Sequence, residues 1–121
     1  MLLDSNAFLF WGLDLDIVTP AAASAIEDAD ELFISMASIW ELEIKRGGGR
    51  LKVELDWPSF LADRLTLVPI DIEDAVAARS LPLHHRDPFD RMIIAQARRR
   101  GLPVVTRDRA FEHYGVPVIW A

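Results

Sequence analysis

There is no cysteine anywhere in the chain, which excludes disulfides, thiolate catalysis and zinc–cysteine sites. Long apolar runs are missing too. The longest, Ala7 to Leu13, is far below the roughly 20 residues a membrane-spanning helix needs. The N-terminus lacks the basic region and cleavage site of a secretory leader, so the expectation is a cytoplasmic protein with no membrane partner. Glycine and proline are sparse, at 6 and 7 residues, and no segment has a disordered or low-complexity composition. A basic excess is also absent. Against 19 Asp and Glu stand 13 Lys and Arg, a net charge of -6, which at first sight argues against a polyanionic partner.

What is present is a compact globular composition, 51% hydrophobic and 26% charged over 121 residues. That length suits one domain, residues 1–121, able to bury about two thirds of the surface its unfolded form exposes. The charges are unevenly placed. Residues 14 to 31 carry Asp14, Asp16, Glu27, Asp28, Asp30 and Glu31 with no Lys or Arg, whereas residues 86 to 109 hold seven Arg against three Asp. If a metal neutralises part of those Asp, the second segment becomes an arginine-lined surface suited to a phosphodiester chain. The alternative is a solvated helix end whose Arg98, Arg99 and Arg100 complement the helix dipole.

In chain order, Met1 to Asp4 reads as a short strand without alternation, buried on both faces as in the middle of a parallel sheet. Asp4 then lies at its carboxyl end, where open α/β sheets bind ligands. Ser5 is read as a helix cap ahead of a role in steadying a ligand. Thr19-Pro20 opens a helix to about Ala29, and Leu32 to Ser35 is a second strand. Ser35 or Ser38 caps the next helix, which stops at Gly47-Gly48-Gly49. Those glycines follow a helix and lack a GK[ST] ending, so they are not a phosphate loop. Glu41 lies on this helix, where Ser38-Ile39-Trp40-Glu41 also fits a capping box. Leu51 to Leu55 is extended or irregular, and Trp57-Pro58 opens a helix to about Arg64.

Leu67 to Ile70 reads as a strand, and Asp71 caps a helix from Ile72 to about Ser80 with Asp74 completing a capping box. Leu81 to Arg86 is a loop, with His84 and His85 expected to face solvent because adjacent histidines rarely share one metal. Asp87 caps the following helix, Pro88 takes its first position, and Asp90 sits in its first turn near the positive end of the dipole. This helix runs to Arg100 and ends at Gly101. Pro103 to Thr106 is a strand that delivers Asp108, Ala110 to Tyr114 a short helix, and Val116 to Trp120 a last strand. Alternating strands and helices predict an α/β fold with a central parallel sheet flanked by helices on both faces.

Asp4 and Asp108 thus come from strand ends, while Glu41 and Asp90 sit in early helical turns. Carboxylates gathered this way repel one another unless a cation intervenes. An all-oxygen set favours Mg²⁺ or Mn²⁺. Such an ion acidifies water and stabilises charge on phosphoryl oxygens, which implies phosphodiester hydrolysis with one metal or two.

These residues resemble the PIN domain family, and within it the VapC-type toxins of bacterial toxin–antitoxin pairs. The resemblance is carried by Leu2-Leu3-Asp4-Ser5, by Ile34-Ser35 through Ser38-Ile39-Trp40-Glu41 to Lys45, by Leu81-Pro82-Leu83 with His85, by Asp87-Pro88-Phe89-Asp90-Arg91 through Ala97, and by Thr106-Arg107-Asp108 with Phe111 and Tyr114. It implies a PIN-like fold, a Mg²⁺-dependent endoribonuclease acting on RNA, and an acidic site at Asp4, Glu41, Asp90 and Asp108, with Asp87 capping or in an outer shell. It also implies a homodimer and a cognate antitoxin whose tail lies in an apolar groove, for which Phe8, Phe10, Trp11 and Trp40 are candidates; Trp40 is read first as core. Asn6 stands where many relatives have His.

Two other classes compete. A catalytically silent module would keep the fold and act through partner contacts. A phosphotransfer domain would use Asp4 as acceptor, but no lysine follows a late strand, and Asp4-Ser5-Asn6 lacks a second acid two residues on.

Overall fold

The computed structural model describes residues 1–121. Five short strands, β1 (Leu2–Leu3), β2 (Leu32–Ser35), β3 (Leu65–Val68), β4 (Val104–Thr106) and β5 (Val118–Trp120), form one sheet in the order β3-β2-β1-β4-β5. Every pairing is parallel, with Leu2 in register with Phe33 on one side and Val104 on the other. Side chains alternate across the sheet. Leu3 and Val105 therefore enter one core with Phe8, Ile26, Ile34 and Leu42, while Leu2 and Val104 enter a second with Ile93, Ile94 and Phe111. Both faces of β1 are buried, as its unbroken apolar sequence predicts.

The helices are α1 (Ser5–Gly12), α2 (Pro20–Asp28), α3 (Met36–Gly47), α4 (Trp57–Asp63), α5 (Ile72–Ser80) and α6 (Pro88–Arg100), with a 3-10 helix over Arg109–Tyr114. The first core takes residues from α1, α2 and α3, and the second from α5, α6 and the 3-10 helix. Caps set several boundaries. Thr19, Asp71 and Asp87 cap as expected, and the Asp71–Asp74 box is complete. Gly101 ends α6 in the left-handed region at φ 64, which glycine adopts without steric cost.

Several expectations shift. Asp4 caps α1 and Ser5 lies inside it, while Ser35 rather than Ser38 caps α3. Strand β3 starts at Leu65, because pairing with Leu32 fixes its register, and it stops before Pro69, which has no N–H for the ladder. The last strand begins at Val118.

Sequentially adjacent β1, β2 and β3 step to one side, and β4 then returns to the other flank of β1. The chain reverses between β1 and β4, and there the helices on the two faces diverge and leave a crevice outside the carboxyl ends of the strands.

Candidate active site

Asp4 follows β1 and Asp108 follows β4, so the reversal of strand order brings both to the crevice; α3 and α6 begin beside it and add Glu41 and Asp90. All four line one pocket of about 160 Å³, together with Ser5, Asn6, Lys45, Asp87 and Arg107 and without an apolar residue. The four acids picked out in the sequence are therefore neighbours in space.

Each is held differently. Asp4 is buried, and it accepts from the Ala7 backbone N–H at 2.7 Å and from the Thr106 hydroxyl at 2.5 Å. Burial pushes its carboxyl up to about 6 and, despite those two hydrogen bonds, the nearby Asp108 and Glu41 charges help keep it there. Glu41 accepts from the Ser5 hydroxyl at 2.5 Å and has Lys45 Nζ at 3.4 Å. The capping-box role for Glu41 does not occur, since α3 starts too early, and the Ser38 hydroxyl is buried without a partner. Asp90 is raised to about 7, first by burial and then by the Asp87 charge, with His85 opposing. Asp108 caps the 3-10 helix through the Ala110 N–H at 2.9 Å. Asp87 is a cap, accepting from the Phe89 and Asp90 N–H groups at 2.8 and 3.3 Å.

Two contributors had no site role assigned from the sequence. Thr106 joins the strand ends: its hydroxyl donates to Asp4 and accepts from the Asp108 N–H at 3.0 Å. His85, expected in solvent, has a side chain only 16% exposed and places Nε2 at 2.6 Å from Asp108 and 3.0 Å from Asp90. His85, Asp90 and Asp108 each offer a ligand atom, all within 4.8 Å of one another. Besides its place among the residues that carry the resemblance, the sequence signal was its position two residues before a helix cap, where a turn folds the ring back over the first helical turn.

The arginine-lined surface is not what α6 and its flanks build. Arg91 is buried and donates to the carbonyls of Ala78, Leu81, Pro82 and His85 at 2.8, 2.8, 2.9 and 3.1 Å. Arg99 and Arg100 bind Asp74, at the other end of a 13-residue helix about 20 Å long. Arg107 reaches the pocket wall but is occupied by Asp16, the Ala121 carbonyl and the Phe10 ring. Trp40 is not core either. It is 61% exposed, stacks edge-on against Phe89 at 5.3 Å and helps line an apolar groove with Ile70, Pro88 and Met92. Phe8 is fully buried and lines no groove.

A PIN domain family model matches residues 1–117 of this chain. The chain belongs to the PIN domain family. This PIN domain is 34% identical to Ribonuclease VapC22 of Mycobacterium tuberculosis, over 97% of this chain and 93% of the relative. It superposes on FitAcB from Neisseria gonorrhoeae with a TM-score of 0.69 at 20% identity, covering 98% of this chain and 95% of that one. DNA-bound VapBC from Salmonella typhimurium gives a TM-score of 0.68 at 23% identity, covering 98% and 96%. At those two identities the likeness is one of fold. No helix of this PIN domain is long and apolar enough to cross a membrane.

Proposed function

We propose that residues 1–121 form one PIN domain acting as a divalent-metal-dependent endoribonuclease, the cytoplasmic toxin of a toxin–antitoxin pair. The observation that carries the reading is the meeting of Asp4, Glu41, Asp90 and Asp108, from four separate elements, in one wholly polar pocket. The kinship to a ribonuclease at 34% identity points the same way. The donor set suits a hard cation. Oxygens predominate, the Asp90 carboxylate accepts no hydrogen bond from the protein and has only His85 Nε2 near it at 3.0 Å, and burial and mutual repulsion raise Asp4 and Asp90, a strain that a positive ion relieves. We assign Asp4, Glu41, Asp90 and Asp108 to holding Mg²⁺, with Mn²⁺ also suited to the site. Bound there, the ion supplies an acidified water and charge stabilisation on the phosphoryl group.

The chain's own residues do the rest. Thr106 and the Ala7 N–H fix both Asp4 oxygens, Ser5 orients Glu41, and Lys45 is the one pocket cation whose charge has only Glu41 to answer. Lys45 thereby remains close enough to meet a phosphate of the RNA strand.

Protein partners belong to the apolar face. Met36, Trp40 and Ile44 repeat every fourth residue along α3, all exposed, beside the groove at Phe89 and Met92. A protruding ring next to a groove is self-complementary, so we assign this face to a homodimer with a two-fold contact. A cognate antitoxin is the second partner; a protein of this fold from Klebsiella pneumoniae was solved in a toxin–antitoxin complex. Trp40→Glu should give a monomer by light scattering, and a dimer that survives it would reassign the face.

The function is tested by inducing the chain alone in cells beside its Asp90→Asn form. Growth arrest with new RNA ends from the parent only is the expected result. Soluble protein with neither effect would favour the silent binding module.

A further inference from the structure

His85 stands between two carboxylates in an orientation that is fixed from several sides. Its backbone N–H donates to the Tyr114 hydroxyl at 2.6 Å, its carbonyl accepts from Arg91 at 3.1 Å, and its ring lies edge-on to Phe111 at 6.0 Å. The ring nitrogens then have distinct duties. The Asp87 backbone N–H donates to Nδ1 at 3.2 Å, so Nδ1 presents its lone pair and the neutral ring carries its proton on Nε2. That proton faces Asp108 at 2.6 Å and Asp90 at 3.0 Å.

A ring in this tautomer has no lone pair on the nitrogen that faces the acids. To ligate a cation through Nε2 it would have to move its proton to Nδ1, setting one N–H against another at Asp87. The same three ligand atoms that look like a metal-binding trio are thus joined by one hydrogen bond, to Asp108, with Asp90 held 3.0 Å from the same nitrogen. We infer that His85 is a positioning residue of the acidic pocket: its Nε2–H bonds Asp108 with Asp90 3.0 Å away, and the ring holds the two acids in place for a divalent cation from outside the coordination sphere.

The inference rests on the reading of the pocket as a cation site. Asp90 comes from the first turn of α6 and Asp108 from beyond β4, and two like charges on separate elements diverge unless something joins them. These contacts use one oxygen of each acid. They leave the second Asp90 oxygen without a protein donor, while the second Asp108 oxygen already serves the Ala110 N–H. Partners of this kind, one bond removed from the ion, carry a large share of metal affinity. Their loss typically costs about 10- to 100-fold.

The test is Mn²⁺ binding to the full chain, followed by EPR, for the parent, His85→Ala and His85→Gln, with circular dichroism as a check on folding. The glutamine amide can present an N–H near the place of Nε2–H. Expected are Mn²⁺ bound by the parent with no directly coordinated nitrogen in its spin-echo modulation, affinity weakened about 10-fold or more in His85→Ala, and most of it restored in His85→Gln. A directly bound nitrogen that disappears in His85→Ala would make the ring a ligand and overturn the proposal. So would unchanged affinity in a folded His85→Ala, or a folded His85→Gln as weak as the alanine form. A parent chain that binds no Mn²⁺ at all would instead remove the cation site itself, a result distinct from the other three.

Discussion

Replacing Asp4 by Asn should make the metal-free protein more stable at neutral pH while destroying its function. The Asp4 carboxyl is raised from the ordinary 3.8 to about 6, so between those values the folded chain holds a proton that the unfolded chain has released. Its stabilising contribution is complete below 3.8 and is lost as pH rises through about 6. Keeping the buried group ionised at pH 7.5 costs up to about 3 kcal/mol. Asparagine removes that charge and keeps the shape: its oxygen can accept from the Ala7 N–H, and its amide can donate to a turned Thr106 hydroxyl. With relaxation around the site the gain is about 1–3 kcal/mol, and at about 4 °C per kcal/mol for a chain this long the melting temperature rises by about 4–12 °C. The assay is thermal unfolding of both proteins in chelator from pH 4 to pH 8. The gap should close toward pH 4, where the folded carboxyl is neutral and the unfolded one, at its ordinary 3.8, is partly so. Saturating Mg²⁺ should favour the parent, since a ligand at 100 times its Kd adds about 2.7 kcal/mol to the state that binds it. An Asn form no more stable than the parent at pH 7.5, or a gap independent of pH, would refute the argument from buried charge.

Asp90→Asn and Asp108→Asn should each cut Mg²⁺-dependent cleavage of labelled RNA by about 100-fold or more, the scale of losing a charge-stabilising group, with unchanged circular dichroism. Asp74 lies fully buried under Arg99, Arg100 and Gln96. Burial pushes its carboxyl up, but the hydrogen bonds from Arg100, Gln96, the Asp71 backbone and Arg99 outweigh that and hold it well below the usual range. Its contribution is therefore present above the ordinary 3.8 and lost as pH falls further. Asp74→Ala should cost about 2 kcal/mol or more in urea unfolding at pH 7, because it takes a buried charged acceptor away from the Gln96 amide and two guanidinium groups, and less at pH 2. Arg91→Lys offers one ammonium to carbonyls that a planar guanidinium serves from two nitrogens, and should cost about 2–3 kcal/mol; hydrogen exchange should speed up selectively over residues 81–86.

Local chemistry was readable in the chain because it is set by near neighbours. The caps at Thr19, Asp71 and Asp87 and the glycine stop at Gly101 depend on a few residues each, as does the burial of β1 on both faces. Strand ends and early helical turns are the places where an α/β sheet gathers ligands, so Asp4, Glu41, Asp90 and Asp108 could be picked out before their meeting was seen. The misread residues are those whose fate depends on partners far along the chain. Arg91 and Arg98 to Arg100 look like one cationic run, yet the first turns inward to carbonyls at the end of α5 and in the loop after it while Arg99 and Arg100 meet Asp74. Trp40 carries the hydrophobicity of a core residue but points away from both cores. His85 is a loop histidine by sequence, and only the approach of Asp108, 23 residues later, makes it the bridge of an acid pair.

By itself, then, the sequence determined the alternating architecture, the helix ends and the identity of the acids, since periodicity, caps and residue type act over a turn or two of chain. The tertiary structure alone decided which charges face the pocket, which tautomer His85 holds and which apolar side chains are left outside. Those outcomes depend on contacts between elements remote in sequence, whose energies arise only when the sheet order β3-β2-β1-β4-β5 brings them together.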